Sequence, residues 1–561
     1  MGIVQFKDIN LGAIADSIYQ GTKNALARMC GFDIHSTPGL LRVNQKMTKD
    51  SGIIIDEYCK VGIECSNGIK YWFSSVSGKI WQDKVGVYTL VYTTIPTGNS
   101  AVCTDVYEYQ GYLYWATEKY LHRIAIASSD GSTAWTANAA PNWATFTNGT
   151  TVGHAMVEIN MVLYIADKYY VAQVDTNTFS ANALDISSNY VITALGKMST
   201  YLLVGGSIPN VNMSEIFSWN TYSTTFQSSD TVPERTINSF IYADNYIYVN
   251  AGSSGSIYAY NGTQLQFYKR IPGTYSSTRT CLINPNASGM YKGSIPIFGV
   301  SNGVGDACDE GIWSLGRYSL NYPVVFNMEF PTSNVDSDGY NILTGIEIGA
   351  ILVSGVDIYA SWKRSSTITT TIADPAVVTL AAHGLTDGEA VYFTTTGALP
   401  TGITTATVYY AKGVNANTFN LYDTSAHAVS GGATGRVATT GTQSGVHTMV
   451  AVGIDKLDYS NKIVHPFFET RVIAPDRNSL QSFSKIIASY QDMPASTSIV
   501  IKTKADHASV YSDTTELLDT MRKTTYTDSD RIEGKSLQVR MECVSSGNNA
   551  PTIEELDVIL T

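Results

Sequence analysis

The sequence predicts an all-β protein: a β-propeller of six or seven blades, with an inserted small β-domain and a C-terminal β-sandwich. Three observations lead there. A strand-turn-strand unit thick with tyrosine and tryptophan recurs roughly every 40 to 50 residues, the length of one four-stranded blade. Charged residues make up only 15% of the chain, against about 25% in ordinary globular proteins, so the surface is rich in hydroxyls and amides. The last copy of the unit is split in two.

The unit reads GIKYWFSSVSGKIW around Tyr71, GYLYWATEKYLHRIAI around Tyr114 and MVLYIADKYYVAQV around Tyr164. It returns as TYLLVGG at Leu203, as NYIYVNAGSSGSIYAY around Tyr248, and as SIPIFGVSNG at Phe298 followed by GIWSLGR. Blades are expected over 48–98, 99–150, 151–192, 193–235, 236–277 and 278–335. Tyr246, Tyr248 and Asn250 alternate with Ile247 and Val249, leaving both faces largely apolar, as a strand packed between two sheets requires. Ser77-Gly78, Asn261-Gly262, Asn302-Gly303 and Asp338-Gly339 mark turns that tolerate positive φ.

The seventh unit begins as GAILVSGVDIYASWKRS, from Gly349 to Ser365, with Asp357-Ile358-Tyr359 placed like Tyr112-Leu113-Tyr114. Its return strand, GIDKLDYSNK from Gly453 to Lys462, follows only after a long interruption. The domains expected are an N-terminal arm with a closing strand (1–47), blades (48–366), an inserted small β-barrel or sandwich (367–448), the return strand (449–464) and a C-terminal sandwich (465–561). An insertion at a hairpin tip is tolerated because its ends leave close together. In the arm, Ile14, Ile18, Ala25, Leu26 and Met29 have helical spacing that Gly31 would cap. The stretch from Pro38 to Met47 reads as a strand that completes the last blade. A second short helix is expected where Asp513 and Glu516 form a capping box ahead of Leu517, Leu518 and Met521.

A net charge of −12 gives no basic stripe for gripping phosphates, so no sequence-specific nucleic-acid binding is expected. Repulsion would favour passage of DNA without adhesion. No apolar run is long enough for a membrane-spanning helix. The start of the chain lacks the pattern of a signal peptide. The cysteines at 30, 59, 65, 103, 281, 308 and 543 are scattered, without a Cys-x-x-Cys, and read as free buried thiols. A Cys59–Cys65 pair across a hairpin is the alternative.

Zinc-hydrolase, nucleophile-elbow and phosphate-loop patterns do not occur, and no catalytic residue, metal or cofactor is expected. Asp336-Ser-Asp338-Gly339 lacks most of a calcium-loop ligand set and reads as a solvated turn. Asp306-Ala-Cys308-Asp309-Glu310 reads as an acidic loop, and His383 as a turn or packing residue. Trp72, Trp115 and Tyr248 fall at strand positions and should be core. Trp135 and Trp143, in the loop-like TAWTANAAPNW, are the candidates for a contact surface.

The segment HGLTDGEAVYFTTTGALPTGITTATVYYAKGVNANTFNLYDT, from His383 to Thr424, closely resembles a module that recurs in structural proteins of tailed bacteriophages. The leader from Leu11 to Met47 resembles the start of phage tail proteins with propeller bodies, including tail-nozzle and tail-end proteins. The ending GKSLQVRMECVSSGNNAPTIEELDVIL is similar to the sandwich strands that close such proteins. The resemblance implies a non-enzymatic virion protein, made in the host cytoplasm. It would form a homo-oligomeric ring with other phage tail proteins, in a position to guide or gate DNA exit. Two readings of other classes compete: a tail protein that recognises host-surface glycans, and a propeller glycan hydrolase.

Overall fold

Strands apolar on both faces must be covered on both faces, and the chain achieves this by stacking sheets around an axis. The computed structural model describes residues 2–6, 26–37, 39–50, 55–93, 102–130, 135, 139–150, 152–243, 246–317, 324–335, 343–405, 407–474, 480–506, 508, 511–517, 523–526 and 532–560. Blades 1 to 5 are four-stranded antiparallel sheets over 59–92, 105–145, 156–185, 191–232 and 237–270. Blade 6 runs over 288–330. Blade 7 combines Ile346–Ser354, Asp357–Thr370 and His447–Lys462 with Gln45–Lys49 from the other end of the chain. The blade count is therefore seven.

Each seam between neighbouring blades holds its own apolar cluster. Tyr71, Phe73 and Tyr92 of blade 1 meet Trp115 and Trp135 of blade 2. Tyr114 meets Leu163 and Ile165 in the next seam, and Tyr164 meets Phe217 and Trp219 in the one after. The ring closes where Trp72 and Trp81 pack on Ala350, Tyr359 and Ile454 of blade 7. There the inner strands approach so closely that a side chain at Gly349 would run into the Cys59 carbonyl. The recurring Tyr-Trp pairs are thus seam residues, one ring turned to each neighbour.

The inserted module is a closed six-stranded barrel. Asp357–Thr370 pairs with Val377–Thr379, then Thr418–Tyr422, Tyr409–Asn415, Ala390–Thr395 and His447–Lys462 follow in order, and the last pairs with the first. Two of its strands are continuous with blade 7, paired without a break from Tyr359↔Lys456 to Ile368↔His447. The His383-Gly384-Leu385 turn seats the barrel on the body. His383 accepts from Arg364 Nη2 through its carbonyl at 2.6 Å, and Gly384, at φ +61°, lies where a Cβ would stand 2.5 Å from the Val335 carbonyl. Lys49 reaches Glu389 at 2.9 Å from the closing strand.

The N-terminal segment is part of the C-terminal sandwich. Leu26–Cys30 lies between blade 6 and the C-terminal strands, parallel to Val325–Phe330 and antiparallel to Phe467–Thr470. The sheet then continues through Leu537–Val544 and Ser498–Ala505 to Ser512–Leu517. In the facing sheet Thr552–Leu560 pairs with Gly2–Phe6, Leu41–Val43 and Gln481–Tyr490. Leu26, Phe32 and Leu41 share one core with Phe468, Ile486, Val539 and Leu556.

Both expected helices need correction. Leu26 and Met29 lie on a strand, because two sheet edges are available to pair with it; Ile14, Ile18 and Ala25 lie outside the described residues. Asp513 and Glu516 lie on a strand paired to Ser498–Ala505, while Leu518 and Met521 fall outside the description. Cys59 and Cys65 lie at opposite ends of one strand and its following turn, Cys59 facing Ser74, so they do not meet.

Two predictions follow from these joints. Replacing residues 369–446 with Asn-Gly turns the paired ends Ile368 and His447 into a two-residue hairpin. We expect circular dichroism to remain that of a β protein and unfolding to remain cooperative. Stability should fall by about 1–3 kcal/mol as Arg364 loses its acceptor and Lys49 its partner. Loss of folding would contradict this placement of the module. The second concerns His35, whose Nε2 lies 2.7 Å from Glu329 in an almost fully buried contact, with Ser314 donating to the same carboxylate at 2.9 Å. Burial alone would lower the His35 pKa, yet the Glu329 carboxylate outweighs it and the value is raised above 6.5. The contact therefore stabilises fully below the ordinary histidine value, and the gain is lost as pH rises through the raised one. Denaturant unfolding of His35→Gln should show its largest deficit on the acid side of about pH 6 and a shrinking one toward pH 8. A deficit that grew with pH would contradict the pairing.

Candidate functional site

The inner strand of every blade runs along the axis, so the first residues of these strands gather at one mouth of the ring. Asp105 opens the inner strand of blade 2, Lys60 is the second residue of blade 1's, and Glu347 is the second of blade 7's. Asn284 and Asn286 lie just ahead of the inner strand of blade 6, Ser288–Tyr291. Sequence inspection passed over all five. The available signal was a polar residue repeatedly opening an otherwise apolar strand.

Glu347 is the hub. Its carboxylate accepts from Lys363 at 2.6 Å, Lys60 at 3.0 Å, the Tyr58 hydroxyl at 3.1 Å and Asn284 Nδ2 at 3.3 Å. Burial would raise its pKa, but the two lysines dominate and hold it down to about 2. Asn284 also donates to the Ile348 carbonyl at 2.6 Å. Four donors, from blades 1 and 7 and from the approaches to blades 1 and 6, thus converge on one carboxylate. Such saturation suits a clamp and leaves little lone-pair capacity for a nucleophile.

Asp105 is the second anchor. It accepts from the backbone N–H of Val106 at 2.9 Å and of Met156, on blade 3, at 2.8 Å, and the Asn286 side chain lies near enough to favour its charged form. The Asn286 carbonyl accepts from Ile351 of blade 7 at 2.9 Å. Blades 2 and 6 are not neighbours, so the approach of Asp105 to Asn286 is one between blades that share no seam. Burial pushes the Asp105 carboxyl up to about 7 despite the two backbone hydrogen bonds it accepts.

The residues singled out from the sequence do not assemble into one site. Trp135 is fully buried, donating Nε1–H to the Ser129 carbonyl at 3.0 Å and packing on Tyr71, Tyr92 and Trp115. It is corrected from contact surface to seam core, because its ring fills the blade 1–2 cluster. Trp143 is half-buried on the outer strand of blade 2, one face covered by the Arg123 guanidinium at 4.2 Å. His383 is a seating residue: its Nε2 contacts the Asn415 carbonyl at 2.9 Å and its Nδ1 accepts from the Leu385 N–H at 3.0 Å. In the acidic loop, Asp309 holds Arg28 at 2.7 Å, and Glu310 accepts from the Ile346 N–H at 2.8 Å. Asp336 and Asp338 lie outside the described residues. Among the described residues no group of three His, Cys, Asp or Glu side chains is placed to hold a metal, and no helix is long and apolar enough to cross a membrane.

The raised Asp105 value has a definite sign. Its contribution to stability is complete below the ordinary 3.8 and is lost as pH rises through about 7. Asp105→Asn keeps one acceptor and removes the titration. Its unfolding free energy should therefore vary less than the wild type's between about pH 4 and pH 7, at a cost of about 1 kcal/mol at the acid end. Identical pH slopes for the two proteins would contradict the assignment.

No family model and no curated protein matches the sequence. Among solved structures, the chain is similar to virginiamycin B lyase from Staphylococcus aureus, at 11% identity and TM-score 0.39, over 57% of this chain and 96% of that one. It is also similar to the Cps50 (Swd1) β-propeller domain of Myceliophteria thermophila, at 11% identity and TM-score 0.38, over 55% and 94% of the two chains. The Dos1 propeller matches at 9% identity and TM-score 0.34, over 56% and 91%. Similarity at this level carries no argument about activity.

Proposed function

We propose that this chain is a structural protein of a bacteriophage tail, of the nozzle, adaptor or tail-end kind, which acts by scaffolding and breaks no bond. The observation that carries the proposal is the mounting of the module that resembles phage components. Its barrel shares two unbroken strands with blade 7, and Arg364 and Lys49 tie it to the body. A module fixed by continuous strands keeps one orientation, as a projecting part of an assembly needs and a hinged lid does not. The polar mouth fits the same reading, since Glu347 and Asp105 spend their hydrogen-bonding capacity joining blades. In this role copies stand in a homo-oligomeric ring with other tail proteins around the tail axis. The net charge of −12 lets DNA pass without adhering.

Single-particle imaging of the purified chain and of the virion tests this. We expect closed rings of identical copies, free or within the particle, with the barrel at a constant position on each. A chain that stays monomeric at every concentration and is absent from particles contradicts the proposal. Tight cell-wall polysaccharide binding by that monomer would favour the host-glycan reading. Reducing-sugar release abolished by Asp105→Asn would favour the hydrolase.

A further inference from the structure

Of the seven cysteines, all carry free thiols and six are buried; Cys308 is the partly open one. Its surroundings are unusual. Cys281 opens the short strand Cys281–Leu282 and lies opposite Asn302 in the ladder. The Asn302 side chain holds Cys308, its Oδ1 accepting the Cys308 N–H at 3.1 Å and its Nδ2 donating to the Cys308 carbonyl at 3.1 Å. Cys281 is anchored separately, its N–H donating to the Ser253 carbonyl at 2.7 Å. The Cys308 thiol donates to Asn302 Oδ1 at 3.7 Å, and Cys308 and Tyr275 pack against the apolar cluster that holds Cys281. The backbone at Cys308 is further pinned by a bridge to Gly273, with Thr274 N–H donating to the Ala307 carbonyl at 2.7 Å. Thiols that share one cluster beside Asn302, each on anchored backbone, need little more than side-chain rotation to be joined.

We propose that Cys281 and Cys308 form a thiol–disulfide couple, with Cys308 as the thiol that meets the oxidant and Cys281 as the one that resolves it. The oxidant is a low-molecular-weight disulfide. Cys308, as its thiolate, attacks one sulfur of that disulfide, whose S–S bond breaks and releases the first small thiol. Cys281 then loses its proton and attacks the Cys308 sulfur, releasing the second small thiol. One S–S bond forms and one breaks, and the two protons leave on the two small thiols. The product ties the start of the blade 6 region to the loop between its middle strands. Exposure sets the order of events: Cys281 is 5% exposed and shielded by the blade 5–6 seam cluster, so a reagent reaches Cys308 first. The couple is independent of the proposed role in a tail.

The test uses the full chain with glutathione disulfide under native conditions, read by intact mass and non-reducing peptide mapping. The wild type should lose about 2 Da and yield one cross-linked pair of peptides containing residues 281 and 308. Cys281→Ser should retain one glutathione on Cys308, a gain of about 305 Da, and Cys308→Ser should stay unmodified. A wild type that keeps glutathione on Cys308 without the cross-link overturns the couple. So does a wild type that does not react, or one that links another pair.

Discussion

The fold depends on one strand pairing between the two ends of the chain. Gln45–Lys49 adds to the outer edge of His447–Lys462, with Met47 opposite Leu457 and Lys49 opposite Asp455, and the Asp50 N–H continues the ladder to the Ile454 carbonyl at 2.8 Å. A propeller made of separately stable sheets would open at the seam between first and last blades unless chain crosses it. Here residues 45–50 belong to blade 7 and lead directly into blade 1, where Tyr88 donates to Asp50 at 2.9 Å. Ring closure in turn holds the residues just before it beside blade 6. That is why Leu26–Cys30 can join blade 6 to the C-terminal strands in one sheet. The sandwich is thus an extension of the ring.

Polar groups reinforce the same closure. Asp455, opposite Lys49, accepts from the Trp362 indole at 2.6 Å and the Ser333 N–H at 2.6 Å, so the strand that receives the closing segment is also bonded to the connection from blade 6. Glu347 and its two lysines act at the axis, drawing blade 7 toward blade 1. Buried charges are costly unless paired, and these are paired across elements distant in sequence. They add geometric specificity to packing that is otherwise apolar. No disulfide contributes, since all seven thiols are free.

The parts legible in the sequence were those with local periodicity. Two-sided apolar alternation around Tyr71, Tyr114, Tyr164 and Tyr248 announces strands between sheets, and each ring lies in or beside a seam cluster. The interrupted unit after Tyr359 announces the inserted barrel, though its closure through strands shared with blade 7 depends on pairings no local pattern encodes. Helical spacing at Leu26 and Met29 misled because five residues can satisfy either period, and tertiary partners decide between them. The Asp513–Glu516 capping box misled for the same reason. Trp135 falls in a stretch whose composition reads as a loop yet is core, because burial there is set by Trp115 and Tyr92. The axial mouth was invisible: Asp105, Glu347, Lys60 and Asn286 come from four different blades or their approaches.

The central claim is that residues preceding blade 1 close the ring and bind the sandwich to it. Hydrogen exchange followed by mass spectrometry, comparing the full chain with one lacking residues 1–49, tests it most directly. We expect amides of His447–Lys462 facing the missing strand, together with those of Phe467–Thr470 and Thr552–Leu560, to lose protection, while blades 3 and 4 keep most of theirs. Unchanged protection in all three C-terminal strands would contradict it.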